Sequence, residues 1–237
     1  MTGRARSPGS GSPGPVLGAV RGRFITFEGV EGSGKSTQLD RLAVRWVALG
    51  LDVLRTREPG GTPLGERLRS ALLDPGETGM DPMAELLLYA ADRAQHVREV
   101  IRPALDRGSW VLCDRYLDAT LAYQGYARGL GVDVVLELHS RPPLDLRPDR
   151  TLLLDLAPGV GLARARRRDA ERGLGSTHGR FENETPDFHA RVRAGYLALA
   201  AREPGRFRVI AADGDPTAVS ERVAEAVADL LAVSGPR

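Results

Sequence analysis

One stretch of the chain has the residue types and the spacing to hold a row of phosphate groups. Residues 29–36 read GVEGSGKS, which fits the pattern G-x-x-x-x-G-K-[ST]. Glycines at this spacing let the backbone curl so that successive N–H groups point inward, toward an anion. The Lys35 ammonium would reach the outer phosphates, and the Ser36 hydroxyl can ligate magnesium. The residues that we predict to bind nucleotide phosphates here are Gly29, Val30, Glu31, Gly32, Ser33, Gly34, Lys35, Ser36 and Thr37.

The lysine of this motif stands alone in the chain. Of the 33 basic residues, 32 are arginine and one, Lys35, is lysine. A chain that uses arginine for its other positive charges keeps a lysine where a compact ammonium on a thin stem is needed. Its place inside the glycine-rich motif therefore indicates a catalytic point charge rather than a stray surface residue.

Two Asp-Arg pairs offer further groups that could bind phosphate. Asp114 and Arg115 come at the end of the apolar run WVLC, at the carboxyl end of a predicted strand, where open parallel sheets bind ligands. Asp114 could order magnesium or its waters, and Arg115 could fork onto a phosphate. Asp92 and Arg93 lie in a long helical pattern, and from these residues alone a surface ion pair is the simpler explanation.

An arginine-dense stretch follows the fourth predicted strand. Its members are Arg164, Arg166, Arg167, Arg168, Arg172 and Arg180. Three of them share one helical face by i, i+4 spacing. The small and polar residues 173–178 come next and are typical of a mobile lid, which we place at about 164–184. Such a lid excludes water and brings arginines to a transferring phosphoryl group, whereas the alternative is a solvated helix. Together with the phosphate loop, this pattern predicts a phosphotransferase.

Composition and missing motifs exclude several classes of protein. The 237-residue chain is 42% hydrophobic and 27% charged, as globular proteins are, and its formal charge of +2 indicates no nucleic-acid partner. No apolar run approaches about 18 residues, so we expect no membrane span. A single cysteine, Cys113, excludes a disulfide framework and indicates a reducing compartment, the cytoplasm. The GTPase motifs N-K-x-D and D-x-x-G are both missing.

Alternating strand and helix patterns must position these groups. Short apolar runs predict buried parallel strands, and the stretches between them predict helices. The predicted strands span 24–28, 51–57, 110–114, 151–156 and 207–212. The predicted helices span 36–49, 64–73, 82–107, 158–172, 186–203 and 216–233, with Pro103 bending the third.

One domain accounts for nearly the whole chain. The alternation predicts an α/β domain over 23–237, with the three-layer α/β/α P-loop NTPase fold, a five-stranded parallel sheet and a helical lid. Residues 1–22 are rich in Gly, Pro, Ser and Arg. This composition is typical of a disordered tail.

Six motifs occur in order from about residue 23 to residue 231. They are FEGVEGSGKST (27–37), TREPGGT (56–62), YAADR (89–93), CDRYLDATLAYQG (113–125), RPDRTLLLDL (147–156) and GRFE with FHARVRAGY (within 179–196). Together they resemble the bacterial thymidylate kinase family. The resemblance implies transfer of a phosphoryl group from MgATP to dTMP, which gives dTDP for dTTP synthesis. Another nucleotide or nucleoside kinase of the same fold, with a different acceptor, is the alternative.

The resemblance also implies which residues surround the acceptor nucleotide. Glu58, Arg69 and Arg115 would surround the dTMP sugar and phosphate, with both arginines on the phosphate. Tyr89 stands where the family has a Phe that stacks on thymine. Arg93, one helical turn later, would donate to a thymine carbonyl, which makes it a base-reading residue. The remaining expected contacts are Thr120 and Gln124 at the base edge, and Tyr123 where the 2′-hydroxyl is absent.

Members of this family take a catalytic arginine either from the phosphate loop or from the lid. Here the loop position holds Glu31-Gly32, so the resemblance implies the lid. Arg166 and Arg167 are its preferred suppliers, and Arg180 follows as an ATP-binding residue. The resulting catalytic set is Lys35, Arg115, Arg166 and Arg167. The magnesium ligands are Ser36 and Asp114.

The remaining expectations concern Glu31 and the partners. Glu31 should face magnesium waters or the sugar, because phosphates would repel its carboxylate. The helix 82–107 would supply a homodimer face, as in relatives, and we expect no membrane partner. A non-catalytic ATP-dependent regulator would leave Arg93, Thr120 and Gln124 without a role.

Overall fold

Five parallel strands form one central sheet in the structure, a computed structural model that describes residues 22–77, 79–171 and 179–232. The strands are β1 (Phe24–Glu28), β2 (Val53–Arg57), β3 (Trp110–Asp114), β4 (Arg150–Asp155) and β5 (Phe207–Ala211). Their order across the sheet is β2-β3-β1-β4-β5, and every neighbouring pair is parallel. The three inner strands are almost wholly buried, as their continuous apolar sequences predict.

Helices cover both faces of this sheet, which confirms the predicted three-layer P-loop fold. The α-helices are α1 (Lys35–Ala48), α2 (Pro63–Leu73), α3 (Pro82–His96), α4 (Arg102–Asp106), α5 (Leu117–Thr120), α6 (Val132–Leu138), α7 (Pro158–Glu171), α8 (Pro186–Arg202), α9 (Pro216–Glu225) and α10 (Ala228–Ala232). Two π-helical segments (Val97–Ile101 and Leu121–Ala127) and a 3₁₀ helix (Arg180–Asn183) complete the described helical structure. The helix predicted over 216–233 is therefore two helices, α9 and α10.

Four helices begin with the same kind of cap. Each is preceded by a Thr or Asp whose side-chain oxygen accepts a backbone N–H of the first turn, and each has proline next. The capping residues are Thr62, Asp81, Thr185 and Asp215. The cap satisfies an N–H that has no partner within the helix, and proline suits the first helical position. These signals are local, so the predicted starts of these helices agree with the structure.

Two regions differ from the predicted pattern. The helical run over 82–107 is present, but its irregular π-helical turn lies at 97–101, one turn before Pro103. Proline has no N–H to donate and crowds the preceding turn, so the backbone widens there. The segment 117–138 had no predicted element, yet it contains α5, a π-helical segment and α6. Its first part is almost wholly buried and shows no polar face that would indicate a helix.

The loops after β1, β2 and β3 lie at the carboxyl edge of the sheet, where the chemistry-bearing motifs were predicted. Some predictions fall outside the described residues. The predicted tail does so, apart from Gly22. Arg172 and the predicted lid loop 173–178 also lie outside. Within the described part of the chain, no helix combines the length and the apolar character that crossing a bilayer requires.

Candidate active site

The phosphate loop curls between β1 and α1. Lys35 Nζ donates to the carbonyl oxygens of Gly29 (3.1 Å) and Val30 (2.9 Å), so the loop wraps around the ammonium. Gly34 has a φ of +93°, and no side chain caps α1, which leaves the first N–H groups of that helix open to an anion. Burial, with the charge of Arg115, lowers the pKa of Lys35 to about 8 against the pull of nearby carboxylates. A bound polyphosphate would favour the charged form of the ammonium.

The tip of the loop touches the first turn of α7. A Cβ atom on Gly32, whose φ is +67°, would lie 2.0 Å from the carbonyl oxygen of Gly161. In the same way, a Cβ on Gly161 would lie 2.1 Å from the carbonyl oxygen of Glu31. Two backbones can approach this closely only where neither residue has a side chain. Gly161 was not singled out by the sequence pattern, because its contact joins elements far apart in the chain.

Ser36 and Asp114 lie side by side, at the start of α1 and the end of β3. The Ser36 hydroxyl donates to Asp114 Oδ2 at 2.5 Å. A hydroxyl and a carboxylate beside a phosphate loop are the oxygen donors that suit Mg²⁺. Within the described residues, no three His, Cys, Asp or Glu side chains are grouped to hold a metal by themselves. The pair therefore fits an ion that takes its other ligands from phosphates and water.

A cavity of about 490 Å³ extends from the phosphate loop toward α3 and the π-helical segment 121–127. We call it the acceptor cavity. All eight residues predicted to bind the acceptor nucleotide line it: Glu58, Arg69, Tyr89, Arg93, Arg115, Thr120, Tyr123 and Gln124. Glu31, Lys35, Ser36 and Asp114 line the same cavity, so it reaches the groups that would hold the donor phosphates and magnesium.

Arg93 is the centre of a buried network beside this cavity. Its Nε donates to Glu58 Oε2 at 2.8 Å, and its Nη2 donates to Thr120 Oγ1 at 3.1 Å. The neighbouring Asp92 is also fully buried and accepts the backbone N–H of Gly60 at 3.0 Å. The simpler explanation of Asp92 and Arg93, a surface ion pair, is therefore wrong: both side chains pin the loop that follows β2.

Two histidines that the sequence analysis did not place complete this network. His96 Nδ1 lies 3.0 Å from Glu58 Oε1, and His139 Nε2 lies 2.8 Å from Arg93 Nη1. Burial, together with the charge of Arg93, lowers the pKa of His139 to about 4. His139 is therefore neutral, accepts from Arg93 through Nε2, and donates through Nδ1 to the Val135 carbonyl at 2.8 Å.

Arg115 lies where the acceptor cavity meets the phosphate loop. Its φ of +67° makes it the only described non-glycine residue with positive φ, a strained conformation typical of functional sites. Its guanidinium donates to the Gly29 carbonyl (3.1 Å) and to Glu31 Oε1 (3.0 Å), and Tyr123 Oη donates to the same Glu31 oxygen (2.6 Å). Burial opposes ionisation of Glu31, but His189, Arg115 and Lys35 outweigh it and hold its pKa far below the usual range.

The strained backbone of Arg115 is held by Glu28, a buried strand residue that the sequence analysis did not single out. Glu28 Oε1 accepts the N–H of Tyr116, the residue after Arg115, at 2.8 Å. Its other oxygen accepts from Tyr196 Oη at 2.9 Å, and Tyr196 in turn receives an Arg115 N–H at 3.3 Å. Burial and the nearby Asp118 charge raise the pKa of Glu28 to about 8.

Arg180, which the resemblance predicts to bind ATP, lines the acceptor cavity. Its Nε donates to the Leu72 carbonyl at 2.8 Å, and its Nη2 lies 2.6 Å from Glu85 Oε2. Glu85 is fully buried and also accepts the side-chain amide of Gln124. No motif indicated Glu85, because an acidic residue in the first turn of a helix is common.

A second cavity, of about 360 Å³, lies on the other side of the phosphate loop. We call it the donor cavity. It is lined by loop residues 32–34, by Thr37 of α1, by Arg164, Arg167 and Arg168 of α7, and by residues after β5. Arg168 lines both cavities. Arg166 is exposed and lines neither.

Comparison with known proteins agrees with this geometry. The family model for thymidylate kinase matches residues 27–223. A thymidylate kinase of Solidesulfovibrio magneticus is 56% identical over 208 residues, covering 88% of this chain and all of that protein. One from Syntrophotalea carbinolica is 56% identical over 200 residues, covering 84% of this chain and 92% of the relative.

A solved structure leads to the same family. The crystal structure of thymidylate kinase from Ehrlichia chaffeensis superimposes with a TM-score of 0.68 at 33% identity, covering 86% of this chain and 98% of that one. The residues that the family model matches, 27–223, include the phosphate loop, both Asp-Arg pairs and α7. On these grounds, the chain belongs to the thymidylate kinase family.

Proposed function

We propose that this chain transfers the γ-phosphoryl group of ATP to the 5′-phosphate of dTMP, giving dTDP and ADP. The observation that carries the proposal is the junction of two cavities at the phosphate loop. The acceptor cavity is lined by the eight residues at dTMP-binding positions of the family, and the donor cavity by the loop and the arginines of α7. Two anionic substrates held in these cavities would meet end to end beside Lys35 and Arg115.

The chain's own groups act mainly by positioning and by charge neutralisation. The loop N–H groups and Lys35 would bind the donor phosphates, and Arg115 would bind the acceptor phosphate. Ser36 and Asp114 would hold magnesium, which offsets negative charge on the phosphate oxygens when bound. The acceptor phosphate already carries about 1.5 to 2 negative charges at neutral pH, so no general base is required.

The lid arginines would stabilise charge on the transferred group. Arg166 and Arg167 were preferred from the sequence, and we add Arg168 because it lines both cavities. Arg168 Nη2 also lies 3.7 Å from Oε1 of Glu182, a residue of the 3₁₀ helix that follows the lid loop. Closure of the lid over both substrates would bring the face of α7 that carries these arginines toward the phosphates.

Purified protein should be tested with MgATP and five acceptors: dTMP, dUMP, CMP, AMP and thymidine. We expect the highest kcat/KM with dTMP, measured as nucleoside diphosphate formed. The Lys35→Ala protein, purified in the same way, controls for contaminating kinases. Equal or faster turnover of a monophosphate without thymine would overturn the acceptor assignment. ATP binding without any dTDP formation would favour a regulator instead.

We also propose a homodimer formed through α3, in the cytoplasm, with no nucleic-acid partner. Met83 and Leu87 lie one helical turn apart on α3 and are 40% and 51% exposed. Exposed apolar residues at this spacing suit a second copy of the same helix. Light scattering after gel filtration should give twice the chain mass, and Leu87→Glu should halve it.

A further inference from the structure

The side-chain amide of Gln124 has only one orientation that the structure can satisfy. Gln124 is 1% exposed, and its nitrogen lies 2.6 Å from Glu85 Oε1. Glu85 is fully buried and is contacted by two guanidinium groups, Arg180 Nη2 at 2.6 Å and Arg128 Nη2 at 3.3 Å. A carboxylate paired in this way offers only hydrogen-bond acceptors. The NH₂ group of Gln124, not its oxygen, must therefore face Glu85.

This orientation decides which atom Gln124 can offer to a ligand. With its nitrogen bound to Glu85, the amide offers its oxygen, and this oxygen accepts no hydrogen bond from the described residues. Gln124 lines the acceptor cavity. The cavity wall therefore has a hydrogen-bond acceptor at this point that no described residue uses.

Arg93 provides hydrogen-bond donors in the same cavity wall. Three of its five N–H groups are used by Glu58, Thr120 and His139, which leaves one on each terminal nitrogen. A guanidinium can only donate. The neutral His139 and the carboxylate of Glu58 prevent Arg93 from turning away from the cavity.

A donor and an acceptor in one wall match one class of pyrimidine. Thymine and uracil have a carbonyl acceptor at C4 beside an N3–H donor, whereas cytosine has an amino donor at C4 beside an N3 acceptor. A cytosine would therefore set donor against donor at Arg93 and acceptor against acceptor at Gln124. Sites built to hydrogen-bond a ligand strongly reject an analogue that leaves their buried groups unpaired.

We propose that Glu85 is a positioning residue that sets base specificity, because it fixes the Gln124 amide with its oxygen toward the acceptor base. This inference rests on the proposed function and concerns how the same cavity distinguishes thymine and uracil from cytosine. Glu85 itself does not line the cavity and acts through Gln124.

Glu85→Gln tests the inference, because a glutamine at 85 can donate as well as accept and frees the Gln124 amide to turn over. The measurement is kcat/KM for dTMP and for dCMP, with urea unfolding of each protein. We expect the dTMP-to-dCMP ratio to fall about tenfold or more, since one correct base contact contributes about this much discrimination. The loss should appear mainly in KM for dTMP.

Two further variants separate orientation from mere loss of packing. Arg128→Gln removes another Glu85 partner and leaves Gln124 bound, so it should lower stability while the specificity ratio stays within about twofold of the wild type. The double change Glu85→Gln with Gln124→Glu reverses the pair: the amide now donates from 85, and residue 124 still offers an oxygen to the base. It should restore most of the specificity ratio.

The outcomes distinguish this inference from the proposed function. A wild-type protein without dTMP kinase activity refutes the proposed function and the inference with it. An active wild type whose Glu85→Gln variant folds and keeps its specificity ratio refutes the inference alone. If Glu85→Gln does not fold, the double variant decides: a folded double variant with wild-type specificity supports the role of orientation, and one without specificity refutes it.

Discussion

Arg93 and Arg180, at the acceptor cavity, differ from Arg167 and Arg168 of α7 in the burial of their side chains. Beside the acceptor cavity, Arg93 is 1% exposed and Arg180 is 9% exposed in their side chains, and each pairs with a buried carboxylate. The side chains of Arg167, which lines the donor cavity, and Arg168, which lines both cavities, are 77% and 47% exposed. The Glu171 carboxylate lies 3.7 Å from Arg167, and the Glu182 carboxylate lies 3.7 Å from Arg168.

This difference indicates two ways of binding an anionic substrate. A buried, paired guanidinium is desolvated and oriented when the protein folds, so it presents fixed donors before any ligand arrives. An exposed arginine on a helix keeps its hydration and its rotamer freedom until a ligand binds it. We therefore expect the acceptor cavity to select its substrate by preformed geometry, and the donor side to be completed by ATP.

The largest expected effect is at the loop between the two cavities. Lys35→Ala removes the ammonium that the loop carbonyls surround, and we expect kcat to fall about 10³-fold, because preorganised charge at a transferring phosphoryl group contributes on that scale. Steady-state kinetics with dTMP and MgATP measure this. Lys35→Arg is the matched control, which keeps the charge but not its compact shape, and it should recover only part of the rate. A near-wild-type kcat for Lys35→Ala would remove this residue from the mechanism.

Substitution of Arg93 tests the proposed role of the acceptor cavity. Arg93→Ala should lower kcat/KM for dTMP about 100-fold while KM for ATP changes little, because a charged hydrogen bond contributes about 1.5 to 3 kcal/mol. It should also cost about 3 to 5 kcal/mol of unfolding free energy, because Glu58 is left buried without its partner.

Arg93→Lys separates these two consequences. It keeps a positive charge beside Glu58 but loses the fork that reaches Thr120 and that we propose to donate to the base. We expect urea unfolding to show a smaller loss of stability than for Arg93→Ala, with a similar loss of dTMP specificity. Equal effects on dTMP and on ATP would contradict the base-reading role.

Two glycine variants on α7 test the contact between the phosphate loop and this helix. Gly161→Ala would place a methyl group on the Glu31 carbonyl and displace the loop, so we expect KM for ATP to rise about 30-fold. Gly159→Ala, two residues earlier on α7, meets no atom within 4 Å and serves as the control. It should be neutral or stabilising by about 0.5 kcal/mol. Similar ATP kinetics for both variants would mean that the loop tolerates the shift.

The smallest expected effect is a pH dependence of the free energy of unfolding, caused by His139 beside the acceptor cavity. His139 has a folded-state pKa of about 4, below its unfolded value, so the unfolded chain takes up a proton first as pH falls below about 6.5. Its contribution is complete above that pH and is lost progressively down to about pH 4.

The matched variant is His139→Gln, which can still accept from Arg93 but does not titrate. Between pH 7 and pH 5.5, urea unfolding should show that the stability of the wild type relative to His139→Gln falls by about 1 kcal/mol. A constant difference between the two proteins would mean that His139 titrates alike in the folded and unfolded states.

Much of the fold could be predicted from the sequence, because the signals are short-range. The apolar runs of the inner strands and the Thr-Pro or Asp-Pro starts of four helices each lie within a few residues. The segment 117–138 could not be assigned in this way. The burial of its π-helical part comes from packing against α3 and α8, which are distant in sequence, so this part shows no polar face.

The site was predictable to the extent that its residues sit in recognisable motifs. Lys35 and Arg115 could be found from their neighbours in sequence. The burial of Asp92 and Arg93 could not, because an Asp-Arg pair on a helix reads the same whether it faces water or the core. Glu85 and His139 carried no signal, since each acts only through a partner on another element.

The amino-acid sequence alone was enough to predict the phosphate loop, the order of the chemistry-bearing motifs along the chain and the family to which the chain belongs. Backbone conformation near glycine and proline, and apolar periodicity, depend on adjacent residues. The pairing of arginines with carboxylates depends on the three-dimensional fold. Arg93 pairs with Glu58, which lies 35 residues away in the sequence, and Arg115 pairs with Glu31, which lies 84 residues away. Contacts of that kind form only when the sheet brings distant segments together, and the burial that results selects each partner.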